Sequence, residues 1–156
     1  MSRITALPPR LLIRFPRVIR NRWETYCRSV FPLEAYGFLI GETIGNASHI
    51  ESLWFPTAEQ HAKQARPDSI AVPEQWGIEA TEAANDEGLY VLGDIHSHPL
   101  PFSTHRGEDF EAIPSEGDYR HGWPGFCGIT SIRQTQSGRL YTRTRFYGPT
   151  AKITIL

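Results

Sequence analysis

Apolar and polar positions along the chain alternate with two different periods, and the change from one to the other marks out the elements. Leu11 to Phe15 is an apolar run broken only by Arg14, which reads as a short strand. From Arg17 to Val30 the apolar residues are Ile19, Trp23, Tyr26, Cys27 and Val30. Steps of three and four place them on one side of a helix and the arginines on the other. Pro16 suits the start of that helix and Pro32 ends it. Leu33 to about Ile44 reads as a strand, Gly45-Asn46 as a two-residue turn, and Ala47 to Phe55 as the return strand, closed by Pro56. Residues 57–68 are polar without a clear period and are expected to form a surface loop, and Ser69 to Val72 a short strand. Pro73 opens a second helix, with Trp76, Ala80, Ala83 and Ala84 on one side and Gly88 as its stop. The apolar run Leu89–Leu92 leads into Gly93-Asp94-Ile95-His96-Ser97-His98-Pro99, a strand that Pro99 should end. A loop over 100–114 and a short helix near 115–122 come next. Strands over 125–133 and 139–147 follow, joined by a turn at Gln136-Ser137-Gly138, and an edge strand is expected within 151–156. A sheet with two main helices predicts an α/β or α+β fold in one domain, residues 10–156, behind a loose arm at 1–9.

Composition narrows this picture. A length of 156 residues suits one domain, and 40% hydrophobic content supports a core. No apolar run reaches the roughly 18 residues of a membrane span, and Met1–Pro9 lacks an apolar signal segment, so no membrane association and a cytoplasmic location are expected. Cys27 and Cys127 form no C-x-x-C pair and are expected to be free and buried. A net charge of -1 argues against nucleic acid as a partner. The charge is uneven, however. Arg3, Arg10, Arg14, Arg17, Arg20, Arg22 and Arg28 crowd the start of the chain with Glu24 as the only acid among them. They are either the solvated face of one helix or a docking surface for an acidic partner.

The candidate chemistry lies in the histidine strand. Side chains alternate along a strand, so His96 and His98 point to the same side and can take two corners of a metal's coordination sphere. Ser115-x-x-Asp118 looks like a helix start with Ser115 as N-cap and acidic side chains in its first turn, and a carboxylate there is a candidate third ligand. Two histidines and one carboxylate leave a fourth position for water, the arrangement of a hydrolytic zinc site. Such a site also needs a base for the water's proton and a donor for the oxyanion. Glu34 is the candidate base and Ser115 the candidate donor. Asp94, on the same strand face as the histidines, either orients an imidazole or is a simple polar position. His49, His61, His105 and His121 match no ligand pattern and are expected to be surface or hydrogen-bonding groups. Trp23, Trp54, Trp76 and Trp123 are expected in the core, and so is Cys127.

Taken together, Glu34, His96-x-His98-Pro99 and Ser115-x-x-Asp118 resemble the JAMM signature of the JAB/MPN metalloprotease family. The contexts Pro32-Leu33-Glu34-Ala35-x-Gly37-x-Leu39-x-Gly41 and Pro114-Ser115-Glu116-Gly117-Asp118 resemble the family's first and third motifs. The resemblance spans roughly residues 11–148. It implies a curved mixed β-sheet flanked by helices, layered like a cytidine deaminase, with one catalytic zinc per chain. It implies that His96, His98 and Asp118 bind the metal, that Glu34 activates the water and that Ser115 steadies the oxyanion. The stretch before Ser115, residues 100–114, is longer than the family pattern. Glu108 and Asp109 in it are rival carboxylates, but only Ser115–Asp118 has the S-x-x-D form after Pro99.

The activity implied is that of a zinc-dependent isopeptidase or peptidase. Its substrates would be joined to the C-terminal tail of a ubiquitin-like protein. The compact chain is similar to stand-alone prokaryotic members, some of which accompany E1/E2-like conjugation enzymes, including those of antiviral defence. Two other readings stay open. One is a zinc hydrolase that frees an amino acid or sulfur-bearing group from a small carrier protein; the other is a non-catalytic binding scaffold.

Overall fold

A computed structural model describes residues 11–99, 125–148 and 153–155. The arm at 1–9, the loop at 100–114, the helix expected near 115–122 and Trp123 lie outside the described residues. The elements in order are β1 (Leu11–Arg14), α1 (Arg17–Val30), β2 (Tyr36–Ile44), β3 (Ala47–Trp54), α2 (Ala58–Gln64), α3 (Glu74–Asp86), β4 (Tyr90–Pro99), β5 (Phe126–Gln134), β6 (Leu140–Tyr147) and β7 (Ile153–Ile155). The strands form one mixed sheet of seven, in the order β6-β5-β4-β2-β3-β1-β7. β2 lies at its centre, antiparallel to both β3 and β4, while β4 and β5 run parallel. Register shifts at Leu39/Ile40 and Ile40/Gly41 bend β2 and curve the sheet.

Most elements fall where the apolar pattern places them. The β2–β3 turn has Gly45 at a φ of 62°, the left-handed conformation that the first position of a II′ turn requires. Two expectations are corrected. Residues 57–68 are not a loop, because Ala58–Gln64 is helical. A capping box starts this helix, with Thr57 Oγ1 accepting from Gln60 N–H and Gln60 Oε1 accepting from Thr57 N–H. Seven residues are too few to display a helical period. Ser69–Val72 forms no strand either; one antiparallel bridge, Ala65 with Ile70, is all that pairs there.

The two faces of the sheet differ. On one face α1 lays Trp23 and Cys27, both 0% exposed, over Ile13, Leu39, Ile95 and Ile132. Trp23 Nε1–H donates to Thr130 Oγ1 at 2.8 Å, which satisfies the indole inside this core. On the other face α3 sets Trp76 against Tyr36 and Trp54, with Phe38 between those two rings. His96 is the register partner of Tyr36 on β2, so the histidines stand on the α3 face, beside this aromatic cluster.

Close backbone contact anchors the histidine strand. A Cβ on Gly93 would collide with the Phe126 carbonyl oxygen, so only glycine lets β4 and β5 meet at this point.

Candidate metal centre

His96 and His98 extend from one face of β4 near its C-terminal end, and their Nε2 atoms are 3.1 Å apart. Two nitrogens held about 2.0–2.1 Å from one zinc ion at a tetrahedral angle are about 3.3–3.4 Å apart. The imidazoles are therefore already close to a ligand spacing. Glu34 joins them: its carboxylate and the two ring nitrogens lie within 4.8 Å of one another. Glu34 and His96 are buried, at 7% and 5% exposure, while His98 is partly open. Burying a carboxylate costs free energy unless a cation or hydrogen bonds meet it. Two imidazoles near ligand spacing, with a buried carboxylate close enough to meet a metal-bound water, suit a divalent zinc ion.

Glu34 lies just before β2, and its main chain is held on two sides. Its N–H donates to the Arg66 carbonyl at 2.9 Å. Its own carbonyl accepts from His61 Nε2 at 2.8 Å. His61 is 3% exposed and comes from α2, with its ring edge-on to Tyr26. The helix missing from the sequence reading thus supplies a support for the candidate base.

A second tie comes from behind the sheet. Ser97, between the two histidines, faces the opposite side and is 0% exposed. Its Oγ accepts from Ala35 N–H at 2.8 Å, and its N–H donates to the Ala35 carbonyl at 3.0 Å. Glu34 is thereby registered to the histidine strand through the residue next to it. Cys27 lies in the same core, and its thiol is pushed well above its ordinary pKa by burial first and by Glu24 second.

Asp94 accepts from the Tyr36 hydroxyl at 2.7 Å through Oδ2, while Oδ1 has no hydrogen-bond partner among the described residues. Among the described residues Asp94 thus bonds Tyr36 rather than an imidazole. Burial, then the charge of Asp94, raises the pKa of Tyr36, so the phenol stays a donor. Cys127, 1% exposed, places Sγ 3.9 Å from His96 Nδ1, the ring nitrogen away from His98. Both cysteines are free and buried, as the sequence predicts. Trp23 and Trp76 are core residues and Trp54 is half-buried.

The structure thus brings Glu34, His96 and His98 together. Ser115, Asp118 and the rivals Glu108 and Asp109 lie outside the described residues, as do His105 and His121. Tyr36, His61 and Ser97 act around the site through contacts that no local pattern displays. For His61 the one available signal was Thr57-x-x-Gln60, which marks the helix that carries it.

Comparison with curated proteins gives no match. Among solved structures, a Desulfitobacterium hafniense protein aligns over 94% of this chain and 93% of its own, with 16% identity and a TM-score of 0.61. A Salinibacter ruber protein aligns over 90% of each chain, with 18% identity and a TM-score of 0.51. Both likenesses concern the fold. The family described as prokaryotic homologs of the JAB domain matches residues 17–144, a span that holds Glu34, both histidines and every strand from β2 to β5. The chain belongs to that family of prokaryotic JAB-domain homologs.

Proposed function

We propose that the protein is a zinc-dependent peptidase or isopeptidase that hydrolyses the bond after the C-terminal tail of a ubiquitin-like protein. The observation that carries this reading is the convergence of Glu34, His96 and His98, whose donor atoms lie within 4.8 Å of one another. His96 and His98 would hold the ion through Nε2, with Asp118 as the third ligand. Bound there, zinc supplies Lewis acidity, which acidifies water and polarises the scissile carbonyl.

The chain's own residues do the rest. Glu34 takes one proton from the attacking water as its oxygen bonds to the carbonyl carbon. Ser115 donates to the oxyanion. Glu34 then delivers the proton to the departing nitrogen as the C–N bond breaks, leaving a carboxylic acid and an amine. His98 is only half-buried, and an extended tail reaching it would add to a sheet edge or loop through main-chain hydrogen bonds.

Glu34→Gln and His98→Ala test the reading. Metal analysis of Glu34→Gln should find about one zinc per chain, with turnover down by at least about a hundredfold, the scale of a lost acid–base group. His98→Ala should lose both metal and turnover. A Glu34→Gln protein that cleaves at the parental rate removes the base assignment. A parental protein that retains no zinc favours a binding scaffold instead.

A further inference from the structure

The β5–β6 ribbon beside the histidines carries charge of one sign. Residues 125–148 contain Arg133, Arg139, Arg143 and Arg145 and no aspartate or glutamate. The register shows where the strand arginines fall. His96 pairs with Ile129, which pairs with Arg145. His98 pairs with Ser131, which pairs with Arg143. Paired residues across neighbouring strands share a face, so Arg143 and Arg145 stand on the histidine face in the same two rows as the histidines. Arg133, two positions beyond Ser131 on β5, shares that face. The opposite face of the ribbon holds Phe126, Thr130, Ile132 and Phe146, all buried.

Two strand spacings separate β4 from β6, about 10 Å. An extended arginine and one or two substrate residues together span that gap. Arg143 is exposed and Arg145 half-buried. Both keep contacts within the chain, but a guanidinium has five donors and can serve more than one acceptor. Charges on the solvent face of an edge strand also guard against aggregation. That role calls for charge of either sign, whereas this ribbon has arginine alone, aligned with the two candidate ligands.

We propose that Arg143 and Arg145 form a carboxylate-binding subsite for a substrate residue within one or two positions of the scissile bond. The proposal rests on the hydrolase reading above and narrows its substrate to a peptide that is anionic near the cut. The carboxylate has two possible sources, a residue on the acyl side of the bond or the leaving amine's own residue. A guanidinium fork recognises either.

Binding is tested on the metal-free full chain, so that no carboxylate can be held by zinc. Rhodamine-labelled Gly-Gly-Glu-Glu amide and Gly-Gly-Gln-Gln amide are compared by fluorescence anisotropy. The acidic peptide should bind about tenfold more tightly, with the difference shrinking as salt rises. Arg143→Gln/Arg145→Gln should abolish the difference. Arg145→Lys, which keeps the charge and loses the fork, should retain part of it and covers the case in which the double variant fails to fold. On zinc-loaded protein, hydrolysable peptides with Glu or Gln on the acyl side or the amine side then identify the source. Equal binding of the two amides, or a preference that survives the double substitution, overturns the proposal. Absent hydrolysis beside an intact acidic preference would instead fault the hydrolase reading.

Discussion

His61 shows how a single residue away from the donor set can govern it. Its bond to the Glu34 carbonyl fixes the main chain of the candidate base from a distance of 27 positions. His61→Ala should leave zinc content unchanged and reduce kcat more than it alters KM, by about tenfold, because misplacing a catalytic group is costly. It should also cost about 1–3 kcal/mol of stability, since the buried carbonyl loses its partner. His61→Gln, which keeps an N–H donor, should recover part of both, as metal analysis, steady-state kinetics and denaturant melts will show. Cys27 gives a pH prediction. In the unfolded chain its thiol ionises near the ordinary value of 9.0, whereas burial raises that pKa in the fold. Its contribution is therefore whole below about pH 9 and is lost as the pH climbs above it, at up to about 1.4 kcal/mol per pH unit. Tyr26, raised by burial and then by Cys27, adds to the decline above its ordinary 10.0. Cys27→Ala should be less stable at neutral pH through its cavity, yet show a shallower alkaline decline in urea midpoints. In the native protein neither cysteine should react with iodoacetamide at neutral pH, since thiol reactivity needs exposure and thiolate.

At the level of elements, sequence reading and structure part company over residues 57–72, where a helix stands in place of a loop and a single bridge in place of a strand. Long amphipathic segments were legible: α1 occupies Arg17–Val30 as its three–four spacing predicts, and β2, β3 and β4 follow from apolar runs and turn residues. The convergence of Glu34 with the histidines was legible too, because a strand's two-residue period sets His96 beside His98 and a recognisable motif supplies the glutamate. A seven-residue helix offers no such repeat, and its cap was the only mark it left. The contacts of Tyr36, His61 and Ser97 depend on which strands become neighbours, information spread over 58 to 62 positions in two of the bonds concerned. Thr57→Ala removes the cap and should cost about 1 kcal/mol. If α2 is a brace for Glu34, the same change should lower kcat while zinc content stays intact; an unchanged kcat in a destabilised protein would limit α2 to a structural part.

For the molecule as a whole, the two long helices on opposite faces of the sheet differ in charge. α1 carries Arg17, Arg20, Arg22 and Arg28 against a single Glu24, while α3 carries Glu74, Glu79, Glu82 and Asp86 and no base. A net charge of -1 thus conceals one basic and one acidic helix. Among the described residues no helix is long and apolar enough to cross a membrane. Metal loading is the molecule-wide prediction. An ion bound only by the folded state stabilises by about 2.7 kcal/mol at a hundredfold excess over Kd. Chelation should thus lower the melting temperature and added zinc restore it, a response that His98→Ala should lose. One further consequence follows from Ser97, wedged between two histidines yet fastened to Ala35 on the reverse side. Glu34 and the imidazoles hang from the same rivet, so mutations under α1 should displace them as a set. If the chain hydrolyses peptides as proposed, drift there would dim or brighten that activity while leaving the choice of bond untouched.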